Sequence, residues 1–197
     1  AKPLKILIID ENLVRAAILE EGLADCGEVE VHLIDEMDRL LPRVAAIDPD
    51  VILIDLENPS RDTLEQMFQV SRWAKRPIAM FVDQSDGEAV RAAIDAGVST
   101  YVVDGLRRER VKAVLEITIS RFKAFDRLQQ ELDRAKTALS DRALVERAKR
   151  ILMEQRKLSE DAAYSLLRRT AMNESRKIVD IARALVTADD LLQHGGL

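Results

Sequence analysis

The distribution of proline and glycine divides this chain into two parts. All five prolines lie between positions 3 and 77, and neither proline nor glycine occurs between Gly105 and Gly195. Because these two residues are the strongest breakers of helices, so long a stretch without them is predicted to be almost wholly helical. The chain is therefore expected to have an N-terminal part with frequent turns and a C-terminal part built from helices.

Short nonpolar runs alternate with amphipathic stretches in the N-terminal part. The nonpolar runs predict five strands, at Leu4–Ile9, Val29–Ile34, Val51–Ile54, Ile78–Val82 and Thr100–Val103. The amphipathic stretches predict helices near residues 13–25, 37–47, 61–75 and 88–95, and one more from about 107. Five successive strand–helix units imply an α/β fold with a doubly wound, five-stranded parallel sheet. Ligands of such sheets bind outside the carboxyl ends of the strands.

Composition limits the class of protein. The chain has 47% hydrophobic and 33% charged residues, which is ordinary for a globular protein. Its one cysteine, Cys26, excludes an intramolecular disulfide framework, and its nonpolar runs are too short to span a bilayer. A cytoplasmic protein with no membrane attachment is expected. An enzyme is not expected, because the chain lacks a glycine-rich phosphate loop and a clustered set of His and Cys residues.

The charge of the chain is unevenly distributed. Residues 1–136 carry 19 basic and 26 acidic side chains, whereas residues 137–197 carry 11 basic and 9 acidic ones. Binding of a polyanion requires local positive charge. Only the C-terminal part is therefore suited to bind one.

Acidic residues stand at the ends of two predicted neighbouring strands. Asp10 and Glu11 follow the first strand, and Asp55 ends the third. Three carboxylates in one crevice repel one another unless a cation lies between them, and hard oxygen ligands suit Mg²⁺. The sequence thus predicts a possible Mg²⁺ site at Asp10, Glu11 and Asp55, with Asp55 as a candidate phosphoryl acceptor. No cofactor is required by any other feature.

These segments resemble a bacterial response-regulator receiver domain. The resemblance rests on LKILIIDEN, DPDVILIDLENP, RPIAMFVDQSD and AAIDAGVSTYVVDGL, and it covers residues 4 to about 122. By this resemblance, a serine or threonine should end the fourth strand and a lysine the fifth, and both should contact the phosphoryl group. Val82 and Asp104 stand there instead. With Asp83 beside them, the pocket is predicted to have gained acids and lost its cation.

Three readings of the pocket follow from these departures. A receiver domain that works without phosphorylation is favoured, because valine donates no hydrogen bond and Asp104 would repel a phosphoryl group. A receiver controlled by phosphorylation remains an alternative. In the third reading, the acids are simply strand-end residues that face water, as in many α/β proteins.

A stripe of nonpolar residues begins the helical part. Its members roughly keep heptad spacing and are Val114, Thr118, Phe125, Leu128, Leu132, Ala135 and Leu139. Such spacing favours a coiled coil that joins two copies of the chain into a homodimer, with residues 123–139 as a linker helix. Packing of the stripe on the chain's own domains is the alternative.

The last third of the chain predicts a small module of three helices. The first continues to Arg156, Ser159 can cap a second that runs to about Met172, and Asn173 can cap a third that runs to about Leu192. The module resembles the ANTAR domain, a three-helix RNA-binding module of bacterial transcription antiterminators. The resemblance covers residues 140–192 and rests on AKRILM, LSEDAAYSLLRRTAM, SRK and the Ile181–Ala182 pair. Residues 1–122 then form the receiver-like domain.

Receiver, coiled coil and ANTAR domain in this order resemble the nitrate/nitrite-assimilation regulators of the NasT type. That resemblance implies a protein that binds paired hairpins in a leader mRNA and prevents termination. It also implies a nitrate-sensing regulatory protein as partner. The RNA would be contacted by Arg147, Lys149, Tyr164, Arg168 and Lys177, because unpaired bases stack on aromatic or guanidinium planes and phosphates attract cations.

Alternatives remain for the module and for two of its residues. A core position is as plausible for Tyr164 as a stacking role, and Met172 and Leu167 are predicted to lie in the core. A DNA-binding regulator would need a recognition helix after a short turn, usually with glycine, and no glycine stands there. A protein-interaction adaptor that binds no nucleic acid is the third reading.

Overall fold

The computed structural model of the protein describes residues 2–103 and 105–194. The chain divides into two compact units, Ala1–Arg127 and Leu128–Leu197, with the boundary inside the longest helix. The strands are β1 (Leu4–Ile9), β2 (Val29–Ile34), β3 (Val51–Leu56), β4 (Ile78–Val82) and β5 (Thr100–Val103). The helices are α1 (Leu13–Leu23), α2 (Leu40–Ile47), α3 (Arg61–Ala74), α4 (Gly87–Asp95), α5 (Arg108–Arg156), α6 (Glu160–Asn173) and α7 (Ile178–His194).

The first unit is a five-stranded parallel sheet in the order β2-β1-β3-β4-β5. The strand order reverses at β1, as expected for a doubly wound sheet, so the predicted fold class is confirmed. Successive residues of a strand point to opposite faces of the sheet. In β1, Leu7 and Ile9 pack with residues of α2, α3 and α4, whereas Ile6 and Ile8 pack with residues of α1 and α5. Helices therefore cover both faces of the sheet.

Helix α5 is 49 residues long, and its beginning belongs to the core of the first unit. Val114 is 9% exposed, and Thr118 is fully buried with its hydroxyl hydrogen-bonded to Thr100 Oγ1. These two residues pack on the sheet of their own domain, so their predicted place in a coiled-coil seam is wrong. No helix in residues 2–103 and 105–194 is long and nonpolar enough to cross a membrane.

The end of α5 forms a compact core with α6 and α7. Ala148, Ala163 and Ala182 are completely buried there and let the three helices approach closely. Ser159 caps α6 as predicted, because its Oγ accepts a hydrogen bond from the backbone N–H of Ala162 at 3.2 Å. The predicted cap of α7 at Asn173 is wrong, since Asn173 is the last residue of α6 and α7 begins only at Ile178.

Both turns of this module form without glycine. Lys157 follows α5 with φ 55°, and Ser175 lies between α6 and α7 with φ 53°. This left-handed region costs a residue with a side chain about 1 kcal/mol or more, which is why helices more often end at glycine. The packing of the three helices thus holds a backbone conformation that the local sequence does not favour.

Gly22 allows α1 to lie directly against the beginning of α5. A Cβ atom at this position would stand 2.6 Å from Val111 Cβ and 3.0 Å from the backbone oxygen of Arg108. Because one of these neighbours is backbone, a side-chain rotation would not relieve the overlap. The two helices could accommodate a methyl group only by moving apart.

We expect Gly22→Ala to lower the free energy of unfolding by about 1–3 kcal/mol, the usual cost of overpacking a core. Gly87→Ala is the matched control, because its Cβ would meet only the end of the Arg91 side chain at 3.7 Å. That change should alter the free energy of unfolding by less than about 1 kcal/mol. Urea unfolding of both variants measures the difference, and equal stabilities would refute the close approach.

Candidate functional site

The carboxyl ends of three neighbouring strands bring acidic side chains together. Asp10 follows β1, Asp55 lies near the end of β3, and Asp83 follows β4. Asp10 and Asp55 are each only 2% exposed, which is rare for a carboxylate. They line a cavity of about 770 Å³ whose other walls are Glu11, Asn12, Leu13, Val14, Leu56, Glu57, Asn58, Pro59, Ser60 and Thr63.

Asn12 organises the mouth of this cavity. Its side-chain oxygen accepts hydrogen bonds from the backbone N–H groups of Val14 and Arg15 and so caps α1. Its side-chain nitrogen donates to Glu57 at 2.7 Å, and its backbone N–H donates to Asp10 Oδ1 at 2.8 Å. One residue therefore fixes the start of α1 and the orientation of a buried acid.

Arg15, in the first turn of α1, is a cation of this cluster that the sequence interpretation missed. Its Nε and Nη2 donate to the two oxygens of Asp55 at 2.6 and 2.8 Å, and its Nη1 and Nη2 donate to Asp83 at 3.2 and 3.0 Å. The guanidinium thus binds two carboxylates through two bonds each. The prediction that the pocket had lost its cation is wrong. Hydrogen bonding to Asp55 raises the pKa of Arg15, so the side chain stays charged.

Asp10 is the acid of the cluster that burial affects most. Desolvation raises the pKa of Asp10 to about 7, and the nearby Asp55 adds to this shift, while the hydrogen bond from Asn12 opposes it. Its Oδ2 is buried and accepts no hydrogen bond from a described donor. A carboxyl in this environment favours its protonated form.

Val82 and Glu11 are the remaining described residues of the predicted pocket. Val82 is fully buried in the core and presents no hydroxyl, and Asp104 lies outside the described residues. Glu11 is exposed at the cavity wall. Among the residues that the structure describes, no group of three or more His, Cys, Asp or Glu side chains is arranged to hold a metal ion. Asp10, Glu11 and Asp55 nevertheless line the same cavity, so the Mg²⁺ site stays a prediction.

The outer surface of α6 carries the second candidate site. Tyr164 is 45% exposed, Met172 is 70% exposed, and Arg168 is exposed between them at helical spacing. Residues four positions apart lie on the same side of a helix, so the three side chains are neighbours. The core readings of Tyr164 and Met172 are wrong, whereas Leu167 is buried as predicted. The sequence carried a signal for this surface, because charged residues stand near Tyr164 at helical spacing.

The other predicted RNA-binding residues differ in what they contact. Arg147 forms an ion pair with Asp190 on α7. Lys149 is 7% exposed and donates to Glu160 at 2.6 Å and to Glu146 at 2.9 Å, and these bonds raise the pKa of Lys149. Lys177 is exposed at the start of α7, and neither it nor Arg168 forms an ion pair with a described residue. Arg147 and Lys149 are thus paired within the protein, whereas Tyr164, Arg168 and Lys177 are exposed without such a pair.

The fold and the acidic cluster define a receiver domain. The response regulator receiver domain model matches residues 6–116, and the ANTAR domain model matches residues 133–186. The chain belongs to the response regulator receiver family and carries a C-terminal ANTAR domain.

Similarity to characterised proteins extends over both domains. The transcriptional regulatory protein PdtaR of Mycobacterium tuberculosis is 25% identical over 186 residues, which cover 94% of this chain and 91% of that protein. The nitrate regulatory protein of Klebsiella oxytoca is 25% identical over 92% of this chain, but the match covers only 40% of that protein. A CheY-like receiver domain from Methanospirillum hungatei superposes with a TM-score of 0.54 at 14% identity, over 62% of this chain and 98% of that chain.

Proposed function

We propose that this protein is an RNA-binding transcription antiterminator, located in the cytoplasm, that binds paired hairpins in a leader mRNA and prevents formation of a terminator. The ANTAR match and the similarity to a transcriptional regulatory protein support a regulator of transcription. The observation that carries the RNA-binding step is the outer surface of α6, where Tyr164, Arg168 and Met172 are exposed together.

This surface has the properties that recognition of an unpaired base requires. A nucleobase can stack on the ring of Tyr164, and such stacking accepts any of the four bases. The planar guanidinium of Arg168 can donate two hydrogen bonds to a base edge. Neither group must first break an ion pair with a described residue. Such contacts suit hairpin loops, because the narrow deep groove of an RNA duplex is closed to side chains.

The ion pairs of the module divide its basic residues into two groups. Arg147 and Lys149 are bound to carboxylates on other turns or helices, so RNA would have to compete for them. Arg168 and Lys177 are free of such competition among the described residues. We assign the principal base contact to Arg168 and a phosphate contact to Lys177, since an ammonium is a point charge without directional preference for a base edge.

We expect Arg168→Ala to weaken binding of a loop-containing hairpin by on the order of 1–3 kcal/mol and to reduce discrimination against base-substituted loops. Lys177→Ala should weaken binding to all loops alike and lower the salt slope by roughly 0.7, the value for one phosphate contact in a single strand. Tyr164→Ala should cost about 1–3 kcal/mol if one base stacks there. Salt-titrated gel-shift binding to native and loop-substituted hairpins measures all three.

Arg169→Ala is the matched control for this series. It removes the same charge from the next position of α6, which lies about 100° around the helix. An equal loss in Arg168→Ala and Arg169→Ala would mean that only net charge matters. Tight binding of the equivalent DNA would favour a DNA-binding regulator, and no binding of either nucleic acid would favour a protein-interaction adaptor.

We further propose that the protein acts as a homodimer joined through the middle of α5. Phe125, Leu128, Leu132, Ala135 and Leu139 are all exposed and follow one another at alternating spacings of three and four residues. This is the spacing of a two-stranded coiled-coil seam, and a second copy of the same helix offers the matching surface. Two ANTAR domains on one dimer would bind paired hairpins with increased avidity.

We expect Leu128→Glu combined with Leu132→Glu to convert a dimer into a monomer, because charges would be buried in the seam without partners. Gln130→Glu combined with Thr137→Glu adds the same charge on the opposite side of α5 and should leave the dimer intact. Light scattering over a range of protein concentrations gives the mass. A mass that is the same in both double variants at every concentration would exclude this seam.

We propose that a partner protein rather than phosphorylation controls the activity. Asp55, the candidate phosphoryl acceptor, has both carboxylate oxygens bound by Arg15, and Val82 cannot donate a hydrogen bond to a phosphoryl group. The similarity to a nitrate regulatory protein supports nitrate/nitrite-assimilation genes as the target and a nitrate-sensing regulatory protein as the partner. A response regulator controlled by phosphorylation is the alternative.

We expect Asp55→Asn to leave hairpin binding and transcriptional read-through unchanged, within about twofold of the parent protein. The change removes the phosphoryl acceptor but keeps its size, and Arg15 retains its two hydrogen bonds to Asp83. In vitro transcription across a leader that contains a terminator measures read-through. A folded variant that has lost read-through would restore the phosphorylation-controlled reading.

A further inference from the structure

Arg15 is a cation held among the acids at the carboxyl ends of the strands. It reaches across from α1 to a residue of β3 and a residue that follows β4, and its side chain is 17% exposed while that of Asp55 is fully buried. A salt bridge between groups this buried is screened little by salt. The five N–H donors of a guanidinium are fixed in one plane. Arg15 forms four hydrogen bonds with these donors, two to Asp55 and two to Asp83.

The residues of the pocket do not fit a divalent cation. A hard cation needs carboxylate oxygens with free lone pairs directed at one point. Both oxygens of Asp55 already accept short hydrogen bonds from Arg15, and Asp10 Oδ1 accepts one from Asn12. The unpartnered oxygen, Asp10 Oδ2, is buried beside this arrangement. A divalent ion within reach of these oxygens would lie against the positively charged guanidinium that binds Asp55, and the two cations would repel each other.

Electrostatics explains why the arrangement is stable without such an ion. Three carboxylates at one edge of the sheet cost free energy when they are ionised together. The guanidinium offsets this cost for Asp55 and Asp83, because each shares two hydrogen bonds with it. Two of the three carboxylates therefore have a counter-charge that the protein itself supplies.

We propose that Arg15 is the resident cation of this receiver domain and that its guanidinium excludes Mg²⁺ from Asp55. The protein then carries permanently, in its own chain, the positive charge that this pocket would otherwise take from solution. The inference rests on the receiver fold and on the contacts of Arg15, and it does not depend on RNA binding. Its test measures Mg²⁺ binding and not RNA binding. Either proposal can therefore fail while the other stands.

The experiment compares thermal unfolding of the full chain in a chelator and in millimolar Mg²⁺, at constant ionic strength. The parent protein should unfold at the same temperature in both conditions. Arg15→Ala should unfold at a lower temperature in chelator, because the carboxylates lose their counter-charge. Mg²⁺ should then raise its unfolding temperature by about 5 °C, as expected for a ligand that binds only the folded state well above its dissociation constant.

Two further variants make the result specific to the pocket. Arg91→Ala removes an exposed arginine of α4 and should respond to Mg²⁺ like the parent. In the double variant Arg15→Ala and Asp55→Asn, Mg²⁺ should no longer raise the unfolding temperature, because Asp55 is the ligand that the loss of Arg15 makes available. If Mg²⁺ still raises the unfolding temperature of this double variant, the ion binds elsewhere and the proposal is overturned.

A third variant guards against failure of Arg15→Ala to fold. Arg15→Ala combined with Asp83→Asn removes one of the two acids that Arg15 binds and leaves Asp10, Glu11 and Asp55 unchanged. This variant should show the same stabilisation by Mg²⁺. Stoichiometric binding of Mg²⁺ to the parent protein in calorimetry, or a folded Arg15 variant that does not respond to Mg²⁺, would overturn the proposal.

Discussion

Repulsion between carboxylates at the edge of a parallel sheet is the constraint on which the first unit depends. All five strands run in the same direction, so the acids that follow β1 and β4 are brought beside the acid near the end of β3. Removing such groups from water is costly unless each has a partner. Arg15 supplies the partner for Asp55 and Asp83, and Asn12 directs Asp10 while it also begins the helix that carries Arg15. The acid cluster and the first turn of α1 therefore form one structural unit.

A similar pairing of charges distinguishes the basic residues of the second unit. Lys149 and Arg147 come from the end of α5 and bind carboxylates of α6 and α7, so they help to hold the three helices around an alanine-rich core. Arg168 points away from that core and lies between an exposed tyrosine and an exposed methionine. Basic residues that look alike in a count of charges thus have different physical roles. The unpaired ones are available to contact a ligand, and the paired ones stabilise the packing of the three helices.

Several elements could be predicted because their signals are local. The ranges of β1, β2, β4 and β5 agree with the predicted ones, and the signal is plainest in β4, which is buried throughout and continuously hydrophobic. The cap at Ser159 was predictable from one residue type before an amphipathic run. Heptad spacing was predictive only from Phe125 onward, because Val114 and Thr118 satisfy the same spacing while facing the sheet. The period of a helix does not reveal which neighbour covers its nonpolar side.

The sequence by itself determined the order of strands and helices, the two domains they form and the acids at the strand ends, because these depend on patterns within a few residues. The tertiary structure decided which charges meet. Arg15 is separated from Asp55 by 40 positions and from Asp83 by 68, and in the sequence it is one more cation on an amphipathic helix. Only the folding of three strand ends around the start of α1 brings these groups within hydrogen-bonding distance, because a contact between distant residues depends on the path of the whole chain between them.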